Sequence, residues 1–248
     1  MTMTAPAPLG GTIVANLPVA ELYEHAIRAA EGTIAADGPL VVRTGQHTGR
    51  SPKDKFVVRE QSTEEAVWWG QYNRPFNPES FSGLHSRLCG YLQGRDVFVQ
   101  DVYGGADPEH RLPVRIITQK AWHSLFARTM FLKNTTVEQA RRHVPDFTII
   151  AAPGFQANPM ADGTRSETFI VLNFRQKLGI IGGTGYAGEI KKTVFTVLNY
   201  LLPLEGVVTE MRPAVEATNR LLARLAAALE AERSFTYNSA HELRTPIA

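Results

Sequence analysis

Three cations crowd into one short stretch of this chain, and their spacing suggests a binding site for an anion. Arg50, Lys53 and Lys55 lie within six residues, with Asp54 as the acidic neighbour. Glycines and threonines at positions 44–49 favour a turn just before them. An arginine held by flanking backbone can bind a carboxylate or phosphate through two parallel hydrogen bonds. The alternative is a solvated basic turn, since most charge runs simply face water.

A second pair of cations, Lys191 and Lys192, stands in the first turns of a predicted helix after the glycine-rich run 182–185. A helix N-terminus is positive, so two lysines there disfavour the helix unless an anion binds. A lysine whose pKa is lowered by burial or by another cation can also ligate a metal ion as the neutral amine. An exposed and solvated lysine pair is the simpler alternative.

The run from Gly183 to Gly188 matches G-x-G-x-x-G, which between a strand and a helix is typical of dinucleotide binding. A dinucleotide-binding unit also needs a further parallel strand and an acidic residue about 20 positions on. Glu205 lies near that distance, but only Val207 and Val208 follow before the sequence changes character. We therefore do not expect NAD binding.

The elements that must position these cations alternate irregularly between helix and strand, which predicts a mixed α/β domain. The predicted helices are 15–30, 78–92, 122–132 and 188–202, the last of them ended by Pro203. The predicted strands are 40–42, 56–58, 96–103, 114–118, 146–152, 168–174 and 178–181. The strands at 40–42 and 56–58 hold the basic stretch at its two ends. No internal repeat with a fixed period is present.

The chain changes character after about Val208. Residues 210–248 contain five arginines and five glutamates but no glycine. Val215, Leu222 and Leu229 recur every seven residues, which is typical of a helix with a coiled-coil-like seam that needs a partner helix. We therefore predict a long C-terminal α-helix that can self-associate through this seam.

Composition and charge narrow the class of protein. The formal net charge of +2 is too small to favour a nucleic-acid partner, and the single cysteine excludes an internal disulfide. No apolar run reaches the roughly 18 residues that span a bilayer, and the N-terminus lacks a basic region before an apolar core. We expect a cytoplasmic protein without a membrane partner. Three segments are predicted: a flexible tail at 1–12, a folded domain at 13–208 and a helical tail at 209–248.

Several blocks of sequence resemble the ATP-dependent phosphoenolpyruvate carboxykinases. The first is T-G-Q-H-T-G-R-S-P-K-D-K-F at 44–56. The others are 98–108 with Arg111, 114–118 with 121–122, 182–184 with 186–192, and 199–203. They are collinear with the family over roughly residues 13–208, which is more specific than any single motif. The family usually has Trp where this chain has Gly185, which bears on the geometry around Tyr186.

This resemblance implies the fold of the family's N-terminal domain and a set of site residues. Arg50, Tyr186 and Lys192 would contact oxaloacetate or phosphoenolpyruvate. Lys192 would also ligate Mn²⁺ or Mg²⁺ and approach the transferred phosphate, with Lys191 as the adjacent catalytic lysine. The implied reaction belongs to gluconeogenesis: it decarboxylates oxaloacetate and phosphorylates the resulting enolate from ATP, giving phosphoenolpyruvate, CO₂ and ADP.

The nucleotide-binding part of that reaction has no counterpart in the sequence. No G-x-x-x-x-G-K-[ST] string for nucleotide phosphates occurs, because Glu189 stands where a lysine would have to follow Gly188. In the family, the phosphate loop and the metal-binding histidine and aspartate lie beyond the region of resemblance. We therefore expect the chain alone to have little or no carboxykinase activity. A non-catalytic domain that binds an oxyacid through Arg50 and Lys192 is one alternative.

The C-terminal residues 239–248, S-A-H-E-L-R-T-P-I-A, resemble the phosphoacceptor box of sensor histidine kinases. The resemblance implies that His241 would accept phosphate with help from Glu242, on a dimerisation helix. A histidine-kinase fragment is therefore the other alternative function, and an exposed helical histidine is the simpler explanation. The second helix and the ATP-binding domain of such kinases are not in the chain, so we expect a fusion or a truncated gene product.

Overall fold

A mixed α/β fold is confirmed by the computed structural model, which describes residues 11–134 and 136–207. The chain divides into two compact units after Leu201, and the first unit contains all the strands described below. The predicted long C-terminal helix, with its boundary at 208 and its seam, lies outside the described residues, as does most of the N-terminal tail.

The strands form one large sheet and one small hairpin. In chain order they are β1 (Ile13–Ala15), β2 (Gly32–Ile34), β3 (Leu40–Val42), β4 (Lys55–Val58), β5 (Arg74–Phe76), β6 (Val97–Gly104), β7 (Leu112–Thr118), β8 (Leu132–Lys133), β9 (Phe147–Ala152), β10 (Phe169–Asn173) and β11 (Leu178–Gly182). Within the described region, nine of them make a mostly parallel sheet in the order β1-β6-β7-β9-β11-β10-β4-β5, with β8 beside β6. β2 and β3 pair only with each other in the described structure, in an antiparallel hairpin.

The helices are α1 (Val19–Arg28), α2 (Pro78–Leu92), α3 (Ala121–Met130), α4 (Val137–Arg142), α5 (Pro159–Asp162) and α6 (Gly188–Leu204). A single 3₁₀ turn spans Pro52–Asp54 just before β4. The prediction of α2 is confirmed at both ends. Asn77 caps its start by accepting hydrogen bonds from the backbone N–H groups of Glu79 and Ser80, and Pro78 occupies the first helical position.

Strand β10 shows how the sheet holds a helix on each face. Its residues are all buried, and successive side chains point to opposite faces. Ile170 and Leu172 belong to the apolar cluster that contains Ile190, Val194 and Val197 of α6. Phe169 and Val171 belong to the cluster on the other face, with Phe81, Leu84 and Leu88 of α2. The buried face of α6 therefore fixes the direction in which its remaining side chains point.

Two helix boundaries predicted from the sequence are wrong. The helix predicted at 15–30 is preceded by β1 and begins only at Val19, because Pro18 is extended and β1 pairs with β6. Helix α6 does not stop before Pro203 but runs to Leu204, since a proline in the last turn removes only one N–H donor. Gly206, at a φ of 75°, then ends the helix, with the Val207 N–H bonded to the Leu202 carbonyl.

The basic stretch lies between two strands of different sheets. β3 belongs to the small hairpin, whereas β4 is paired on both sides within the large sheet. The two strands that were predicted to hold the stretch are therefore present. The path of the basic stretch is therefore set by the small hairpin at one end and by the large sheet at the other.

Candidate functional site

One cavity of about 430 Å³ brings together cations from three parts of the fold. It is lined by Arg50 of the basic stretch, Lys55 of β4 and Lys192 of α6. Much of the remaining wall is aromatic or carries a side-chain amide, contributed by Trp68, Phe174, Phe195, Tyr200, Asn73 and Asn199. Two residues proposed from the sequence, Arg50 and Lys192, therefore face the same space.

Arg50 approaches helix α6 through a buried carboxylate. The Nε of Arg50 lies 4.0 Å from Oε2 of Glu189, whose side chain is 5% exposed, whereas the Arg50 side chain is 39% exposed. The backbone N–H of Ser51 donates a 2.7 Å hydrogen bond to Oε1 of the same carboxylate. The basic stretch is thus tied to the first turn of α6, next to the two lysines.

The environment of Lys55 lowers the pKa of its ammonium group. Burial lowers its pKa, the nearby Arg50 lowers it further, and Glu189 opposes both effects. A lysine with a lowered pKa exchanges its proton more readily than an exposed one, which is the behaviour expected near a reacting or strongly charged ligand.

The two adjacent lysines of α6 have different surroundings. Lys192 is partly buried, lines the cavity and lies with Nζ 5.2 Å from the centre of the Phe195 ring. Lys191 is exposed and is not part of the cavity wall. One helical step separates the two side chains by about 100°, so a helix packed through Ile190 and Val194 can direct only one of them inward.

Tyr186 is not among the residues that line the cavity. Its ring packs against Gly188, where any side chain at Cβ would collide with the ring. Its backbone N–H is held at 3.1 Å by the hydroxyl of Thr184. The structure thus places Tyr186 in the turn that leads into α6, three residues before Glu189 and outside this cavity.

A relay of side-chain hydrogen bonds connects the basic stretch to the main sheet. His47 Nδ1 lies 3.0 Å from Oγ of Ser51, and its Nε2 lies 2.9 Å from Oγ1 of Thr168. The Thr168 hydroxyl donates at 2.8 Å to the carbonyl of Gly183. Because that hydroxyl has given its proton, it accepts from Nε2 of His47, which leaves Nδ1 to accept from Ser51. The relay assigns one tautomer to His47 and fixes the loop in place.

The three cations of the basic stretch do not act together. Lys53 is exposed, whereas the side chain of Asp54 is only 2% exposed and is paired with Arg165. Asp54 accepts two hydrogen bonds of 2.9 Å from Arg165 and one of 2.8 Å from Ser166. Its role is to anchor the 3₁₀ turn, which leaves Arg50 and Lys55 to form the positive edge of the cavity.

The position of Gly185 is closely packed. A Cβ built there would lie 2.8 Å from the carbonyl oxygen of Thr44, so a larger residue requires the Thr44 backbone to move. Nε2 of His123 donates at 2.9 Å to the carbonyl of Gly185. Burial lowers the pKa of His123 to about 4, and the bond to Gly185 only partly opposes this shift. A neutral, buried histidine therefore supports the turn that carries Tyr186.

Glu189 and His47 were not among the site residues predicted from the sequence, although both lie inside the blocks that carry the family resemblance. Their partners are far away along the chain, so spacing alone could not have indicated them. The signal that was available is the position of Glu189 in the first turn of a helix, where an acidic residue is favourable in any protein.

In the part of the chain that the structure describes, no three or more His, Cys, Asp or Glu side chains are grouped so that they could hold a metal ion. Among the same residues, no helix is both long enough and apolar enough to cross a bilayer. His241 and Glu242, the predicted phosphoacceptor pair, lie outside the described residues.

Fold and site together define a class: a mixed α/β domain with a mostly parallel sheet and a cavity lined by Arg50, Lys55 and Lys192. A family model described as phosphoenolpyruvate carboxykinase, in its ATP-dependent form, matches residues 11–220. The chain belongs to this family.

Relatives in three organisms carry the name phosphoenolpyruvate carboxykinase (ATP). The protein of Geobacter sp. (strain M21) is 56% identical over 192 residues, which is 77% of this chain and 36% of the relative. That of Geotalea uraniireducens is 52% identical over 206 residues, 81% and 39% of the two chains. That of Thermus thermophilus is 52% identical over 189 residues, 75% and 36%. The chain thus spans a little over a third of the length of the relatives it matches.

Proposed function

We propose that this chain provides the oxyacid-binding side of an ATP-dependent phosphoenolpyruvate carboxykinase, the enzyme that converts oxaloacetate and ATP to phosphoenolpyruvate, CO₂ and ADP. The observation that carries the proposal is the shared cavity of Arg50, Lys55 and Lys192. Three cations around one small space favour a ligand with more than one negative charge, and oxaloacetate and phosphoenolpyruvate both meet that condition.

The cavity suits the charges that develop in this reaction. Arg50 can hold a substrate carboxylate through two parallel hydrogen bonds. Loss of CO₂ leaves an enolate, whose oxygen gains negative charge that the Lys192 ammonium can stabilise. Trp68, Phe174 and Phe195 supply apolar surface to the same cavity, which can contact the uncharged part of such a ligand.

Further roles in this proposal come from the family and not from the cavity. Tyr186 is proposed as a substrate contact and Lys191 as the lysine beside the catalytic one. ATP and a divalent metal ion, Mn²⁺ or Mg²⁺, are proposed for the complete reaction. Lys192 is proposed as one metal donor. The described residues place no group of His, Cys, Asp or Glu ligands that could hold a metal ion, so they do not by themselves fit a metal centre.

Binding of oxalate, a planar dianion that resembles the enolate of pyruvate, tests the proposal. Isothermal titration calorimetry should show saturable binding by the parent chain. Arg50→Ala should weaken it by at least about tenfold, because one charge-assisted hydrogen bond is worth roughly 1.5–3 kcal/mol. Arg43→Ala is the matched control, since Arg43 is an exposed arginine of the same stretch that does not line the cavity.

Two results separate the candidate functions. An unsaturable parent titration, or equal affinities of the parent and Arg50→Ala, contradicts an oxyacid site at this cavity. Saturable binding without any conversion of oxaloacetate when ATP and Mn²⁺ are added is the result expected of this chain alone, whereas conversion would show that the chain is itself an active enzyme.

A further inference from the structure

Glu189 is a buried acid at the junction of the two segments that supply the cavity's cations. Only 3% of the residue is exposed. One carboxylate oxygen accepts the Ser51 N–H and the other faces Arg50. Lys55 also faces this carboxylate, and on a further side so does Asp54. No other described element contributes a charge to its surroundings in the structure.

Such a carboxylate is unfavourable for the fold alone. Burial raises its pKa, the Ser51 hydrogen bond and the two cations oppose that rise, and Asp54 adds to it. Removing a charged carboxylate from water costs several kcal/mol before compensation. Its hydrogen bond from Ser51 and its contact with Arg50 are therefore what compensate the burial of this group.

We propose that Glu189 is a positioning residue that orients Arg50 relative to Lys192 for a planar dianion, an inference that rests on the proposed function. Glu189 belongs to the same helix as Lys192, one turn away, and its carboxylate holds the Arg50–Ser51 peptide. Glu189 therefore links the position of Arg50 to the helix that carries Lys192.

Charge supports the same assignment. Arg50 and Lys55 both interact with the carboxylate of Glu189, which opposes the repulsion between these two cations. Without Glu189, mutual repulsion of Arg50 and Lys55 is no longer opposed, and Arg50 is free to swing away from Lys192.

The test compares Glu189→Gln with Glu189→Ala in the full chain, with Glu79→Gln as the matched control. Glu79 is also a first-turn glutamate, in α2, but it is exposed. Glutamine keeps an acceptor for the Ser51 N–H and removes the charge, whereas alanine removes both. If the alanine variant fails to fold, the glutamine variant still decides.

The ligand measurement is the ratio of oxalate to sulfate affinity. Sulfate is a tetrahedral dianion that reports on total charge, whereas oxalate also reports on the placement of the cations. In Glu189→Gln the preference for oxalate should fall by at least about tenfold, which is about 1.4 kcal/mol, while sulfate binding stays equal or tightens. An unchanged ratio overturns the proposal, since it would leave Glu189 with a purely electrostatic or structural role.

A second measurement needs no ligand. By NMR, Glu189→Gln should lower the pKa of Lys55, because the opposing negative charge is gone. Glu189→Ala should in addition speed hydrogen exchange of the Ser51 amide. If neither changes, Glu189 does not hold the loop and the proposal fails whatever the ligand data show. If both change but the parent binds no oxalate, the proposed function fails and the positioning of Arg50 by Glu189 stands for another anion.

Discussion

Lys191 and Lys192 are identical in type and adjacent in sequence, yet only Lys192 faces the cationic cavity. The difference arises from the packing of α6 on the sheet through Ile190 and Val194. The pair is therefore an internal comparison, in which each lysine is the control for the other.

Lys192→Met should weaken oxalate binding by about tenfold or more, because the cavity loses one of its cations. Lys191→Met should change the affinity far less, since this side chain is exposed and outside the cavity wall. Calorimetric titration of both variants checks the prediction. Equal losses would mean that the two charges act only through the general field at the start of the helix.

His123 makes the stability of the fold depend on pH. Its pKa is about 4 in the folded chain and near 6.5 when unfolded. Between these pH values His123 binds a proton in the unfolded chain but not in the folded chain. Its contribution to the free energy of unfolding is therefore fully present above pH 6.5 and decreases as the pH falls toward 4. The size of the effect is about 3 kcal/mol.

Denaturant unfolding at several pH values measures this effect. His123→Gln retains a donor for the Gly185 carbonyl and should flatten the pH dependence between 6.5 and 4. His85 and His143 have lowered pKa values as well, so a part of the slope should remain. His110→Gln, in the connection between β6 and β7, controls for the removal of a histidine. Equal slopes in the His123→Gln variant and the parent would contradict the prediction.

The site was only partly predictable from residue types. The sequence indicated Arg50 and Lys192 as separate cationic positions, and the family resemblance was needed to put them in one site. The hydrogen bond from Ser51 to Glu189 joins residues that are 138 positions apart in the sequence, and the contact from His47 to Thr168 joins residues that are 121 positions apart. No local pattern encodes such pairs, because they exist only after the sheet has formed.

At the scale of elements, the 3₁₀ turn before β4 depends on one ion pair. Asp54 is 2% exposed at its side chain, and Arg165 neutralises it with two hydrogen bonds of 2.9 Å. Removing the arginine leaves a buried carboxylate without a counterion, which is more damaging than removing an exposed pair.

Arg165→Met should therefore lower the free energy of unfolding by roughly 1–3 kcal/mol, because the buried Asp54 loses two hydrogen bonds although Arg165 itself is 44% exposed. The matched control is Arg59→Met, which breaks the exposed pair with Glu64 and should change stability little. Urea unfolding measures both. A loss in Arg165→Met no larger than in the control would show that Asp54 finds another partner or becomes protonated.

Element boundaries followed from local pattern only where the pattern was long. The start of helix α2 was predicted correctly because Pro78 is a strong signal for the first turn of a helix. β1, β2, β5 and β8 were missed. They contain two or three residues each and are strands only because β3, β4 or β6 lies beside them. Pairing, and not propensity, defines such strands.

At the scale of the whole molecule, the segment after residue 208 carries an untested prediction. Its heptad of Val215, Leu222 and Leu229 predicts that a helix in this segment self-associates. The double variant Leu222→Lys/Leu229→Lys should reduce the oligomeric mass measured by light scattering and leave oxalate binding unchanged. A parent chain that is monomeric at high concentration would contradict the predicted seam.

The same segment carries the His241 prediction, which phosphotransfer from an added histidine-kinase catalytic domain can test. Label that appears on the parent and not on His241→Gln would favour the signalling alternative for this segment. It would leave the cavity and its proposed ligand unaffected, because the two predictions rest on different residues.

The hairpin of β10 and β11 has a consequence for the order in which the fold is completed during synthesis. These two strands stand in the middle of the sheet, with β9 on one side and β4 on the other, although they are made last. Until the ribosome has released residues up to Gly182, the earlier strands form two unconnected groups. During that interval β10 does not yet cover apolar residues of β4 such as Phe56 and Val57, which are buried in the folded chain. The nascent chain is therefore most prone to aggregation shortly before the two central strands are synthesised.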